Sequence, residues 1–310
     1  MRVLVVGAGV TGLTVGVRLA EAGYDVNLLA RELPQETTSA VAAAIWYPYL
    51  AQPVDRVLAW SKVSLGEFTA LAQSDDSYGV VMRGGAEFFR SRTPDPWWAA
   101  AVPDWRRLDD PPPPYRDGWS FTTPVIEMPV YLAWLQRRLE AAGATLTRMA
   151  LSGLPDRADL VVNCSGLGAR LLGKDDEVVP VRGQVVRFGQ VGLDRWVLSG
   201  DGADGPTYVV PRSHDIVVGG TEERGAWNRR PDPEVARRIL ARATALVPDL
   251  ADAEILGHLV GLRPARPTVR LEPEKLESGR RVIHCYGHGG AGVTISWGCA
   301  DDVLAMVEAL

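Results

Sequence analysis

The 310-residue chain is poor in cysteine, with only Cys164, Cys285 and Cys299. They are odd in number, sit in apolar surroundings and never form a C-x-x-C pair. Nothing in that spacing suggests a disulfide framework, and buried free thiols in a reducing cytoplasm are expected. No apolar run approaches the roughly 20 residues of a membrane span. No basic stretch marks a nucleic-acid or anionic-membrane surface, and the net charge is −5. The first residues already read as a core strand, so no signal peptide is expected, and the end Glu308-Ala309-Leu310 is not a peroxisomal tripeptide. No internal repeat is visible. With 46% hydrophobic and 23% charged residues, the chain suits an ordinary globular protein of two domains, or one with a large insertion.

Glycine, by contrast, is placed with purpose at the start. Val3 to Val6 is an unbroken apolar run, as in a strand buried on both faces of a parallel sheet. Gly7, Ala8, Gly9, Val10, Thr11 and Gly12 follow as G-x-G-x-x-G. Gly7 permits a tight turn, Gly9 lets backbone approach a pyrophosphate and Gly12 lets helix pack on strand. Leu13, Gly16, Val17 and Ala20 have helical spacing, Gly23 ends the helix, and Val26 to Ala30 is a second strand. A glycine motif between a strand and a helix in a compact β-α-β unit points to a dinucleotide with its phosphates on the helix N-terminus. The carboxylate expected about 20 residues later is Glu32, one residue displaced. Its neighbour Arg31 could instead read a 2′-phosphate, lie over an adenine or be solvated. These two residues do not separate FAD, NAD and NADP.

Thr37, Thr38 and Ser39 precede the small residues Ala43, Ala44 and Ile45. Hydroxyls beside small residues suit a backbone passing a cofactor's phosphate and ribose, and Ser39 could also cap an alanine-rich helical turn. Helical spacing predicts a helix over 53–73, and short strands are read at Val80–Met82 and Glu87–Phe89. Residues 91–119, with four tryptophans and the run Pro111 to Pro114, read as a long surface excursion. A strand at Phe121–Val125 and a helix opened by Pro129 and closed by Gly143 come next. Asp159 to Asn163, with Val162 at its centre, is another buried parallel strand. It ends in a second small-residue turn that includes Ser165 and Gly166. Val178–Phe188, Tyr208–Pro211 and Asp215–Gly219 read as an antiparallel meander with a turn at Gly200–Pro206, followed by a helix over 233–247. Gly257 to Pro267 reads as a strand running into a proline-bounded loop. Val282–Tyr286, a glycine loop over 287–292 and a final helix complete the chain. The expected architecture is a discontinuous nucleotide domain (1–50, 145–180 and 256–310) with an inserted, sheet-rich domain (51–144 and 181–255).

The chain resembles the D-amino-acid oxidases, FAD-dependent flavoenzymes of the glutathione-reductase type, over nearly its whole length. The resemblance is carried by Val3–Gly12, Thr37–Tyr49, Leu160–Gly168, Arg182-Gly183-Gln184 and Tyr208–Pro211. It continues through Gly219-Gly220-Thr221, Gly261–Arg266 and, most specifically, Ile283–Gly298 (IHCYGHGGAGVTISWG). Cys285 departs from the Asn, Ala or His usual in the family. The resemblance implies an α/β (α+β) fold, a Rossmann-like FAD-binding domain with an inserted antiparallel-sheet substrate domain. It also implies FAD as cofactor, a D-amino acid and O2 as partners, and a homodimer. The reaction it implies is hydride transfer from the substrate α-carbon to flavin N5, with hydrolysis of the product imine and release of H2O2. A glycine- or sarcosine-type flavin amine oxidase is the alternative.

Such a reaction needs orientation more than a nucleophile. Arg263 is the expected carboxylate clamp, since a guanidinium matches a carboxylate bidentately. The resemblance adds Tyr208 as a second donor and the Gly290 carbonyl as acceptor for the substrate amine. Gly289, Gly290, Ala291, Gly292 and Val293 are expected against the flavin, with Thr294 opening a helix whose positive end faces the flavin C2 carbonyl. Glu222 and Tyr47 are the expected specificity residues: Glu222 would repel acidic side chains, so neutral or basic D-amino acids are expected. Arg266 and Arg270 read as salt-bridge residues. The loop from Leu198 to Tyr208 could act as a modest lid that favours fast product release. No metal is expected, because His284 and His288 do not share a helical face.

Overall fold

The computed structural model describes residues 1–155, 158–200 and 205–310. The chain opens with β1 (Arg2–Val6), α1 (Val10–Glu21) and β2 (Asp25–Ala30), the expected β-α-β unit. The short α2 (Thr38–Val41) leads to α3 (Val54–Ser74), β3 (Val80–Phe89), the two-residue β4 (Arg106–Arg107), β5 (Asp117–Ile126) and α4 (Met128–Ala141). After β6 (Thr145–Arg148), β7 (Leu160–Asn163) and α5 (Ala169–Leu172) come β8 (Val179–Gly189), β9 (Trp196–Ser199), β10 (Thr207–Pro211), β11 (Asp215–Gly219) and β12 (Glu223–Arg224). The chain finishes with α6 (Pro233–Leu246), β13 (Ile255–Lys275), β14 (Arg281–His288) and α7 (Ser296–Glu308).

Among the described residues, thirteen of these strands hydrogen-bond in the order β4-β5-β3-β9-β10-β11-β8-β13-β14-β7-β1-β2-β6, and β12 adds to β8. The end β14-β7-β1-β2-β6 is parallel, with Val5 opposite both Leu28 and Val162. Its strands are apolar because α1, α3, α4 and α7 cover one face, burying Leu13, Val17, Leu135, Leu139, Trp297 and Val303. The run β9-β10-β11-β8-β13 is antiparallel. There α6 packs Val235, Ile239 and Ala243 on Val186, Phe188, Val209 and Ile216. Asp232 caps that helix by accepting from the backbone N–H of Glu234 at 2.8 Å.

Four expectations change. The two short strands at 80–82 and 87–89 are one ten-residue strand, because β5 pairs with it without a break from Val80 to Phe89. The stretch 91–119 is largely exposed or half-buried, as expected, but it is anchored in the core. Trp98 and Trp119 are buried, and Trp98 packs on Trp46, Tyr47 and Phe121. The payload of an indole outweighs the local proline signal. The strand from Gly257 does not stop at Pro267. β13 runs on to Lys275, paired with β8 up to Ala265 and continuously with β14 from Arg270. Pro264 and Pro267 lie at this irregular change of partner, where a missing N–H costs little. Finally, α7 begins at Ser296, two residues after Thr294.

Candidate active site

One cavity of about 1050 Å³ runs from the carboxyl ends of β1 and β2 to the open face of β8–β10. That is the upper end of ordinary ligand pockets and large enough for an extended cofactor plus a small substrate. At its nucleotide end, Gly7 has φ +116°, and a Cβ there would collide with the Cys164 carbonyl. α1 starts at the cavity wall with no acidic residue in its first turn, so its positive end is not offset locally. Ser39 caps α1 rather than its own turn: its hydroxyl accepts from the Val10 N–H at 3.0 Å. Glu32 lines the cavity at the end of β2 and pairs with Arg229 at 2.9 Å and Arg31 at 3.2 Å. A bare glycine turn, a helix N-terminus and a carboxylate one strand away are what a dinucleotide's diphosphate and ribose need, so the residues present fit FAD.

At the other end, Arg263 and Tyr208 converge. The Arg263 guanidinium lies flat over Gly183, where a Cβ would be 2.5 Å from Nη1, and Nη1 donates to the Thr221 carbonyl at 3.0 Å. The Tyr208 ring covers Gly219, where a Cβ would collide with it. Burial pushes the Tyr208 phenol up, against the opposing pull of the Arg263 charge, so the hydroxyl stays a donor. Glu222 stands at the rim with solvent contact. Crowding by protein raises its pKa, and the Arg263 charge opposes that shift.

Tyr47 is held on all sides. Its hydroxyl donates to Glu87 Oε2 at 2.8 Å, its backbone N–H donates to Thr294 Oγ1 at 3.1 Å, and Thr294 Oγ1 donates back to its carbonyl at 3.1 Å. Burial, and then the Glu87 charge, pushes the Tyr47 phenol well above its usual range. Trp119 Nε1 also donates to Glu87 Oε2, at 3.0 Å.

This geometry meets its relatives closely. The family model described as FAD dependent oxidoreductase (DAO) matches residues 2–306. The chain belongs to the FAD-dependent oxidoreductase family. It is 49% identical to a D-amino-acid oxidase of Rubrobacter xylanophilus, covering 99% of this chain and 96% of that one. It is 45% identical to the D-amino-acid oxidase of Streptomyces coelicolor over the same shares, and 37% identical to human D-aspartate oxidase, covering 99% and 94%. A glycine oxidase from Geobacillus kaustophilus shares the fold, with TM-score 0.83, 22% identity, and 99% and 95% coverage. FAD is therefore the cofactor that the nucleotide end of this oxidoreductase holds.

Most expected site residues line the cavity of this family member. Gly7, Ala8, Gly9, Val10, Thr11, Arg31, Glu32, Thr37, Thr38 and Ser39 do so at the nucleotide end. Ala43, Ala44, Ile45, Ser165, Gly166, Gly289, Gly290, Gly292, Val293 and Thr294 line its length, with Tyr47, Tyr208, Glu222 and Arg263. Gly12, Val162 and Ala291 do not. Gly12 presses on the Gly7 carbonyl, Val162 is interior to β7, and Ala291 is sealed beneath the glycine loop. Thr294 does not open the last helix; its hydroxyl pins the Tyr47 turn instead. Arg31, at the cavity's edge, is 70% exposed and paired with Glu32. Arg266 pairs with Asp175 and Glu177, and Arg270 with Glu272 and Glu274. The lid expectation falls on residues 201–204, outside the described residues; Gly200, Gly205 and Pro206 line the cavity on either side.

Sequence reasoning missed Glu87, Gly183, Trp227 and Arg229, which also line it. The Arg182-Gly183-Gln184 motif explains the last two. Arg182 Nε donates to the Asn228 carbonyl at 2.9 Å, and Gln184 brackets Asp232 with two bonds of 2.8 Å. Together they hold the loop that brings Trp227 and Arg229 to the cavity. The three cysteines, free and buried as expected, meet at the cavity wall, which Cys164 and Cys285 line. Donor atoms of Cys285, His288 and Cys299 lie within 4.8 Å of one another. Hydrogen bonds from the Cys164 and Cys299 thiols hold the Cys285 thiol well below its usual range. Sequence spacing could not show this group, since the turn after β7, β14 and α7 each supply a member.

Proposed function

We propose that the cavity oxidises D-amino acids with neutral side chains to 2-oxo acids, with O2 as the final acceptor and NH3 and H2O2 as products. The observation that carries this reading is the convergence of Tyr208 and Arg263 on one point of the cavity wall. Bound FAD supplies the two-electron acceptor. The chain's own residues bind and aim the substrate. Arg263 and the Tyr208 hydroxyl hold the carboxylate with charge and a neutral donor. The Gly290 carbonyl takes the amine, which fixes the α-carbon by two anchors. The Gly289–Thr294 loop and Tyr47 close the wall around it and exclude water.

Leu198 and Val210 line the cavity beside Tyr208, which gives the site an apolar subsite for a side chain. Glycine alone would leave that subsite unfilled, and this favours D-amino acids over a glycine- or sarcosine-type substrate. Glu222 at the rim disfavours acidic side chains. The proposed domain division remains a discontinuous FAD unit (1–50, 145–180 and 256–310) and a substrate unit (51–144 and 181–255). Three free, buried cysteines suit a reducing cytoplasm, and a homodimer is the expected assembly from the family resemblance. Steady-state assays of D- and L-leucine with peroxide detection test the reading. Turnover confined to the D-isomer supports it, and equal or L-selective turnover overturns it.

A further inference from the structure

Cys285, His288 and Cys299 have no part in the chemistry described so far, and all three are buried. Two elements bring them together. Cys285 and His288 belong to β14, and Cys299 to the first turn of α7. In a regular strand, positions 285 and 288 point to opposite faces. Gly287, at φ +83°, breaks that alternation, and His288 Nε2 comes within 3.8 Å of Cys285 Sγ. α7 lays Cys299 against both, so the three donor atoms lie within 4.8 Å of one another.

Those separations are close to the edges of a tetrahedral metal centre. Zinc bonds of about 2.3 Å to sulfur and about 2.0 Å to nitrogen put neighbouring ligand atoms roughly 3.6–3.8 Å apart. Such a centre takes thiolates and a neutral imidazole. Hydrogen bonds from the Cys164 thiol and then the Cys299 thiol already favour the Cys285 thiolate. Burial pushes the Cys299 thiol up, but a bound dication strips the proton from a coordinating thiol outright. Two thiolates then cancel the charge of one dication, which makes its burial tolerable. His288 has no histidine partner on a helical face, and the fold pairs it with two thiols instead.

We propose that Cys285, His288 and Cys299 form a binding site for a divalent cation of the zinc class, with the fourth position beside Cys164. The ion clips the end of β14 to the start of α7. The loop between them carries Gly289, Gly290 and Gly292, which line the cavity. The clip therefore braces a flexible, glycine-rich stretch of the wall that holds the flavin. This site does not depend on which substrate the cavity oxidises.

Holoenzyme expressed in cobalt-supplemented minimal medium and purified without chelator tests the proposal. The wild type is expected to carry about one cobalt per chain and to show the intense d–d bands of tetrahedral thiolate coordination, to the red of oxidised flavin. Cys285→Asn installs an asparagine, one of the residues usual at this position in the D-amino-acid oxidases. It is expected to keep its flavin and to lose both the cobalt and the bands. Zinc-loaded wild type should melt about 3 °C or more above its chelator-treated form, a difference absent in Cys285→Asn. Wild type that takes up no cobalt, or that shows only the weak bands of octahedral surface binding, overturns the site. So do equal bands in wild type and Cys285→Asn. A bound metal that leaves Tm unchanged overturns the bracing role. If Cys285→Asn does not fold, the wild-type spectrum alone decides.

Discussion

Arg263 and Tyr208 reach the same point from different strands, and each passes over a glycine to do so: Arg263 over Gly183 and Tyr208 over Gly219. The clamp therefore depends on two residues that have no side chain. Gly183→Ala would put a methyl group 2.5 Å from Arg263 Nη1, and Gly219→Ala would drive one into the Tyr208 ring. Both variants are expected to raise KM for D-amino acids at least tenfold and to keep bound flavin. Unchanged KM in both would show that the clamp geometry is wrong.

Arg263→Ala removes the cation that faces the substrate carboxylate. Truncating one member of a buried charge pair costs about 2–5 kcal/mol, so kcat/KM should drop by about 30-fold to several thousand-fold. Tyr208→Phe removes one neutral hydrogen bond and is expected to cost less, about 0.5–1.5 kcal/mol. Steady-state kinetics order the two, and a larger loss in Tyr208→Phe would contradict the assigned roles.

Glu222 is held above the ordinary glutamate pKa by burial, against the pull of Arg263. It is therefore neutralised at a higher pH than a free glutamate, while the D-aspartate side chain, near 3.9, stays ionised. As pH falls through the raised Glu222 pKa, repulsion between them should fade. The kcat/KM ratio of D-aspartate to D-leucine is expected to rise over that range in the wild type and to stay flat in Glu222→Gln. A flat wild-type ratio would place Glu222 away from the substrate.

Stability has a separate buried centre at Arg212 and Asp215. Both are almost fully buried, and Asp215 also bonds Arg187 Nε at 2.6 Å. Burial alone would raise the Asp215 pKa, but the hydrogen bonds and charges of Arg212 and Arg187 outweigh it and hold the carboxyl below its usual range. Because the folded pKa is the lower one, this contribution is present above the unfolded value of about 3.9 and is lost as pH falls through the folded pKa. Asp215→Asn leaves a buried guanidinium without its charge partner and should cost about 3–5 kcal/mol. Denaturant unfolding at neutral pH measures it, and a loss below 1 kcal/mol would contradict the buried-pair account.

What was legible in the sequence follows the range of each signal. The β-α-β start and the Asp159–Asn163 strand depend on short-range periodicity, and they appear where the pattern puts them. Arg263 and Tyr208 stood out through family resemblance, and the cavity brings them together. Glu87 was invisible, because one glutamate in a strand reads as an outward-facing residue until β9 and β10 set its register. The tryptophans of 91–119 were misread for a similar reason: proline speaks locally, and the aromatic cluster that buries Trp98 is assembled from distant segments. Thr294 and Ser39 were marked as cofactor residues, and their hydroxyls turned out to fasten neighbouring turns.

The central claim is that this cavity takes D-amino acids as electron donors to its flavin. The most direct measurement is an anaerobic titration of the purified holoenzyme with D-leucine and then L-leucine, following the visible flavin band. The account predicts bleaching by the D-isomer alone, reversed on admitting air with peroxide formed. A flavin-loaded protein whose band is unaffected by every neutral or basic D-amino acid would contradict it.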